Sequence, residues 1–162
     1  MKTIIFYQTS AGYAISVAKE IGTRLGGKVE YGNLHDKSLP DLSDFNRIIV
    51  GVDALPGIQP QEVVRFWEQN RDQLIASEVG LYISCRETGD EARQLFIQSF
   101  PEELQSHAKG ILINGGVTDF EGKLLNGSDT GLNAATQPEV LKDIDRFVRR
   151  IDRVFMPMML FI

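Results

Sequence analysis

The chain has 162 residues, of which 43% are hydrophobic and 24% charged, a size and balance that predict one globular core. A net charge of −5 excludes a duplex binder, which needs a basic stripe to displace counterions. A single cysteine, Cys85, excludes an internal disulfide and a cysteine-rich metal site, and His35 and His107 have no Cys or His neighbour to complete one.

Five runs read as strands in chain order: residues 3–7, 28–33, 47–52, 79–85 and 110–114. Four are continuously apolar, as strands covered on both faces must be. The run 28–33 alternates Val29 and Tyr31 with polar neighbours, which suits an edge strand. Between them lie helical stripes. Ala14, Val17, Ala18, Ile21 and Leu25 make the first, ending at Gly26-Gly27, where a left-handed cap is free of strain. Pro60 opens the second, with Val63, Val64, Trp67 and Leu74 on its apolar face. Thr88-Gly89-Asp90-Glu91 predicts a capping box before Ala92, Leu95, Phe96 and Phe100. Thr136-Gln137-Pro138-Glu139 repeats it before Val140, Ile144, Phe147, Val148 and Ile151.

Residues 34–45 and 116–136 read as loops, the first with at most a short helix. Arg146, Arg149, Arg150 and Arg153 fall on the solvated side of the last helix. The predicted fold class is therefore α/β: a three-layer sandwich around a five-stranded parallel sheet of order 2-1-3-4-5. One domain is expected over residues 1–153, followed by an apolar tail, 154–162, which is too short to span a bilayer. The tail is expected to pack on the domain, on a second copy or on a membrane surface. The amino terminus lacks the length and cleavage site of a signal peptide, so a cytoplasmic protein is expected.

In an open sheet of that order, ligands sit beyond the carboxyl ends of the strands where the winding reverses. Gln8-Thr9-Ser10-Ala11-Gly12-Tyr13-Ala14 runs from the first strand straight into a helix. Such a loop offers backbone N–H groups, the hydroxyls of Thr9 and Ser10, and close approach at Gly12 to an anion. A plain strand–helix turn has a similar composition. No Walker loop, nucleophile triad or metal cluster stands beside it.

Residues 5–14 resemble the phosphate loop of flavodoxins, Thr-x-Thr-Gly-x-Thr after a buried strand. They are more similar still to the flavodoxin-like branch that contains the menaquinone-dependent protoporphyrinogen oxidases. Ile48-Ile49-Val50-Gly51 and residues 111–116 extend the resemblance over most of the chain, on short motifs. It implies FMN as cofactor, with Thr9 at the first hydroxyl and Gly12 at the glycine. Ala11 and Ala14 depart from the pattern where flavodoxins place threonines, a loss of roughly 0.5–1.5 kcal/mol for each neutral hydrogen bond.

The resemblance also implies that Asp53, Ala54, Leu55, Pro56 and Gly57 lie against the isoalloxazine, with Gly57 free to flip, although Pro56-Gly57 reads equally as a simple turn. The usual stacking aromatic is missing there, and Asp53 near a flavin would disfavour its anionic forms. Ser84, Cys85 and Arg86 are expected at the pyrimidine edge, where Arg86 either stabilises the reduced ring or pairs with Glu87 or Asp90. Cys85 itself reads as a small buried strand residue. Gly115 and Gly116 permit close ligand approach, and Tyr13 or Phe120 either covers the ring or belongs, as such aromatics more often do, to the core or surface.

Two functions follow as expectations. One is an FMN-binding redox protein, either an electron carrier or an oxidoreductase of protoporphyrinogen-oxidase type. Its partner would be a redox protein, to which the acidic charge suits docking, or a quinone-like molecule. The other is a flavodoxin fold that has lost FMN and acts as a binding or regulatory module, motivated by Ala11, Ala14 and the missing aromatic.

Overall fold

The apolar runs pair side by side because backbone groups leaving water must bond one another, and helices then cover both faces of the sheet. The structure is a computed structural model that describes residues 1–9, 12–117 and 138–152. Its elements are β1 (Lys2–Gln8), α1 (Tyr13–Arg24), β2 (Lys28–Asn33), a 3₁₀ turn (Leu42–Asp44), β3 (Arg47–Asp53), α2 (Gln61–Ala76), β4 (Glu78–Ser84), α3 (Gly89–Ser99), α4 (Glu102–His107), β5 (Gly110–Asn114) and α5 (Pro138–Asp152). All strand pairs are parallel, in the order β2-β1-β3-β4-β5. The expected α/β sandwich and strand order are those observed, and β2 and β5 have the predicted bounds.

Side chains alternate across a strand, so each strand feeds two cores. Ile4, Phe6, Ile48, Val50, Val52, Leu81 and Ile83 pack under α2, α3 and α4. Ile5, Ile49, Tyr82 and Leu112 pack under α1 and α5. Every residue of β3 is buried, whereas β2, at the edge, has none fully buried. On the α1 side of β3 stand Arg47, Ile49, Gly51 and Asp53, one at each second position. That row reaches from the amino end of the sheet to its carboxyl end.

At Gly51 the missing side chain leaves room for the Tyr82 ring, its β4 neighbour in register. Tyr82 is fully buried and its hydroxyl donates to the Ala14 carbonyl at 2.7 Å, which ties β4 to the first turn of α1. Burial pushes the Tyr82 phenol well above its usual range, and the Asp53 charge adds to the shift. At the opposite end, Arg47 is 2% exposed, with Nη2 2.8 Å from Asp152 Oδ1 and Nε 3.6 Å from Glu78 Oε2. This pair holds α5 to the sheet, far along the strand from the carboxyl ends.

Several local expectations change. Thr88 stands at the N-cap of α3 but makes no side-chain cap bond, because Gly89 enters the helix at φ +56 and departs from the regular first turn a capping box needs. The Thr136-Gln137 half of the second box, Arg153 and the tail 154–162 lie outside the described residues. In α2, Phe66 is buried and Val64 only half-buried, and the helix kinks at Asn70 (φ −126°, ψ 19°). Helix α4 is an addition, held by Leu104 as its one fully buried apolar anchor. The short turn allowed for within residues 34–45 is present at Leu42–Asp44, with Asp41 accepting from the Ser43 amide. Among the described residues no helix is long and apolar enough to cross a membrane, and no cluster could hold a metal ion.

Two tests follow from this packing. Gly51→Ala drives a methyl into the Tyr82 ring, so its urea midpoint should fall by the equivalent of about 1–3 kcal/mol, the usual cost of overpacking. Burial also raises the Glu78 carboxyl, more than Arg47 lowers it. The folded state therefore holds that proton more tightly than the unfolded chain, and stability from this group falls as pH rises through the carboxylate range. Relative to wild type, Glu78→Gln should gain stability as pH rises from acid to neutral, measured by chemical denaturation.

Candidate functional site

The winding of the sheet reverses between β1 and β3, and there the chain leaves β1 at Gln8 and enters α1 at Tyr13. Gly12 forms the N-cap at φ +86°, a left-handed conformation open to glycine, and a Cβ there would meet nothing within 4 Å. Its carbonyl begins the helix by accepting from the Ser16 amide at 3.3 Å. Its amide donates to Thr9 Oγ1 at 2.8 Å. Ser10 and Ala11, between them, lie outside the described residues.

The Asp53 carboxylate, 5% exposed, closes this cradle. It arrives from the end of β3 on the α1 face, following Gly51 in the alternation. Oδ1 accepts from the Ala14 amide at 2.9 Å, and Oδ2 accepts from the Thr9 hydroxyl. One carboxylate thus holds both the loop hydroxyl and an N-terminal amide of α1. The helix dipole favours negative charge at this position, by up to about 2 kcal/mol where partly buried.

The remaining candidates fall into two neighbouring groups. Tyr13 is fully buried, and its ring packs with Val117 and half-buried Leu55 between the loops after β3 and β5. Beyond Leu55 the chain turns: the Ile58 amide donates to the Leu55 carbonyl at 3.2 Å, with Gly57 at φ +74° and Pro56 and Gly57 exposed. That is the arrangement of a type II turn. Ala54 points away, into the α2 side of the core.

Past β4 and β5 the loops are laced together. The Cys85 amide donates to Asn114 O at 3.0 Å, Val117 N to Cys85 O at 3.0 Å, and Gly116 N to Glu87 O at 2.8 Å. Ser84 is buried and accepts from Asn114 Nδ2 at 3.3 Å. Gly115, Gly116 and Arg86 are exposed at this rim. Cys85 is buried, and desolvation, helped by the Glu87 charge, pushes its thiol up to about 12. It carries no thiolate for nucleophilic work near neutrality.

Thr9, Gly12, Ala14 and Asp53 therefore share one hydrogen-bonded cluster, Tyr13 and Leu55 a second, and Ser84, Cys85 and Gly116 a third. Val117 and Tyr82, which brace the first turn of α1 and the ring of Tyr13, were not expected. A separate cavity of about 530 Å³ lies between the loop after β2 and α2, where His35 Nδ1 is 3.3 Å from Glu62 Oε1. It shares no residue with these clusters.

A flavin phosphate can be tested against the cradle. It would draw on the Thr9 hydroxyl and the first amides of α1; the Thr9 hydroxyl and the Ala14 amide already serve Asp53, and the Gly12 amide serves Thr9. Two unit charges about 4 Å apart repel by roughly 4 kcal/mol near a protein surface. As they stand, the described residues do not fit a phosphate dianion. The rim beyond β3, β4 and β5, with exposed glycines and backbone, carries no such conflict.

Thr9→Val removes both the donor to Asp53 and the acceptor of the Gly12 amide. Its stability should fall by about 1–3 kcal/mol in urea titration. Ellman's reagent at about pH 8 should leave the native thiol unmodified and release one equivalent only after denaturation.

A family model described as a flavodoxin domain matches residues 4–122. None of the curated protein sequences matches significantly. Among solved structures, oxidised Flavodoxin 2 from Bacillus cereus superposes with a TM-score of 0.63 at 18% identity, covering 96% of this chain and 100% of that one. A Fusobacterium nucleatum flavodoxin mutant bound to flavin mononucleotide gives 0.54 at 14% identity, over 95% and 96% of the two chains. An azoreductase from Bacillus anthracis gives 0.55 at 11% identity, over 91% and 100%. At these identities the superpositions establish the fold, and the family match over residues 4–122 establishes the relationship: this chain belongs to the flavodoxin-domain family.

Proposed function

We propose that this chain is a flavin-carrying redox protein, its cofactor laid across the carboxyl ends of β3, β4 and β5. The observation that carries the reading is the position of Thr9 and Gly12. They stand at the entry to α1, at the winding reversal of a flavodoxin-domain sheet, beside an exposed rim of glycine and backbone. A bound flavin supplies one- and two-electron transfer.

The chain's own residues position the ring. Gly57, Gly115 and Gly116 let backbone come close, and half-buried Leu55, backed by the buried Tyr13 ring, offers an apolar surface. Arg86 places positive charge at the rim. FMN is the form the phosphate-loop resemblance favours, and the finer assignment is an oxidoreductase near the menaquinone-dependent protoporphyrinogen oxidases or a carrier. The electron partner is a quinone-like molecule or a redox protein with a basic face complementary to the net charge of −5. Membrane-surface or self-contact through residues 154–162 belongs to the same proposal.

A second reading, a flavodoxin fold that serves as a binding or regulatory module without a flavin, is favoured by one observation. The Asp53 carboxylate already occupies two donors a phosphate would use, the Thr9 hydroxyl and the Ala14 amide.

Titration of riboflavin and of FMN into purified protein, followed by quenching of flavin fluorescence, separates the two. The redox reading predicts one-to-one saturation by at least one of them at roughly micromolar concentration. It also predicts at least about tenfold weakening by Gly57→Asp, whose side chain meets no neighbour but strains the left-handed backbone of the turn (φ +74°) and adds charge beside the ring. Absence of quenching by both flavins would leave the module reading.

A further inference from the structure

We propose that Asp53 is a resident occupant of the anion cradle and sets cofactor choice: the site takes a flavin without a 5′-phosphate, of riboflavin type, in preference to FMN. The inference rests on the flavin reading above and names the form of flavin that site accepts.

The case is geometric. Asp53 is the last residue of β3, paired with Ser84 of β4. The next amide, that of Ala54, donates to Ser84 O at 2.8 Å, so the backbone on either side of the carboxylate is held by the sheet. The two carboxylate oxygens are both engaged: Oδ1 takes the Ala14 amide of α1 at 2.9 Å and Oδ2 takes the hydroxyl of Thr9, just after β1. Thr9 Oγ1 accepts in turn from the Gly12 amide at 2.8 Å. Loop hydroxyl, cap glycine and helix amide are thereby joined into one network around a negative charge that belongs to the protein.

The partners are held as firmly. Tyr82 donates to the Ala14 carbonyl at 2.7 Å, and the fully buried Tyr13 anchors the same turn. A side chain at position 14 with a hydroxyl could serve a second anion, but Ala14 has none. A phosphate that takes the Thr9 hydroxyl or the Ala14 amide has to displace Asp53 from that donor, and one bound anywhere in the cradle remains beside its charge. A neutral ribityl hydroxyl has no such charge to overcome and can meet the carboxylate as a hydrogen-bond donor.

Dissociation constants for riboflavin and FMN, measured by fluorescence quenching in wild type and in Asp53→Asn, test this. Asn keeps an Oδ1 acceptor for the Ala14 amide and reverses the contact with Thr9, Nδ2 donating to Oγ1, so the cradle keeps a polar contact at each partner and loses its charge. The expected result is that wild type binds riboflavin at least as tightly as FMN. Asp53→Asn should then tighten FMN by about tenfold or more and leave riboflavin within about threefold. As a second readout, FMN should raise the melting temperature of Asp53→Asn more than that of wild type.

Wild type binding FMN about tenfold tighter than riboflavin overturns the inference and leaves the flavin reading intact, and needs no variant to fold. An unchanged ratio of the two constants in a folded Asp53→Asn protein does the same. Failure of both flavins to bind either protein overturns the flavin reading and the inference with it.

Discussion

The central strand β3 constrains most of this molecule. Its neighbours β1 and β4 take its backbone bonds on either side, and helices cover both faces, so all seven of its residues are buried whatever their chemistry. Even-numbered positions supply Ile48, Val50 and Val52 to the core beneath α2. Odd-numbered positions form a row of different character: a buried arginine, an isoleucine, a glycine and an aspartate. Each has a distinct consequence. Arg47 holds the end of α5, Ile49 fills the core, Gly51 admits the Tyr82 ring, and Asp53 meets the start of α1. A buried carboxylate without partners would be costly. Here the donors of a helix N-terminus satisfy it, which explains why an acid can end a central strand.

The same contact determines the chemistry open to the site. Helix N-termini at the winding reversal of a doubly wound sheet are the usual place for a ligand's negative charge. In this chain the charge is supplied from within. Tyr82 and Tyr13 hold the first turn of α1 in place around it, and the thiol nearest the rim is kept neutral by burial. What remains accessible is the shelf of turn and glycine backbone beyond β3, β4 and β5. A flat ring laid on that shelf, as proposed above, would meet backbone and glycine.

The strands were legible in the sequence because their signal is local. Residues 28–33 alternate and lie at the edge, residues 110–114 run apolar into paired glycines, and both have the bounds that pattern predicts. The order 2-1-3-4-5 followed from handedness and one edge strand. The capping box at Thr88 failed because a positive φ at Gly89 overrides the sequence signature. Helix α4 escaped notice because six residues with one buried leucine make no period. At the site, Thr9, Gly12 and Asp53 were each named, but not their union, which joins residues 39 and 44 positions apart. The available clue was the alternation 47, 49, 51, 53, which places Asp53 on the face of α1. The Tyr82 hydroxyl, 68 positions from Ala14, had no comparable signal.

The central claim is that a flavin ring binds on the carboxyl-end shelf while Asp53 stays bonded to α1. The most direct measurement is a backbone amide NMR titration with riboflavin. The account predicts that shifts concentrate at Gly57, Arg86, Gly115 and Gly116, while the Ala14 amide, bonded to the carboxylate, keeps its position and its protection from solvent exchange. Shifts centred on His35, Glu62 and Arg65, around the cavity beside α2, or loss of the Ala14 protection on binding, would contradict it.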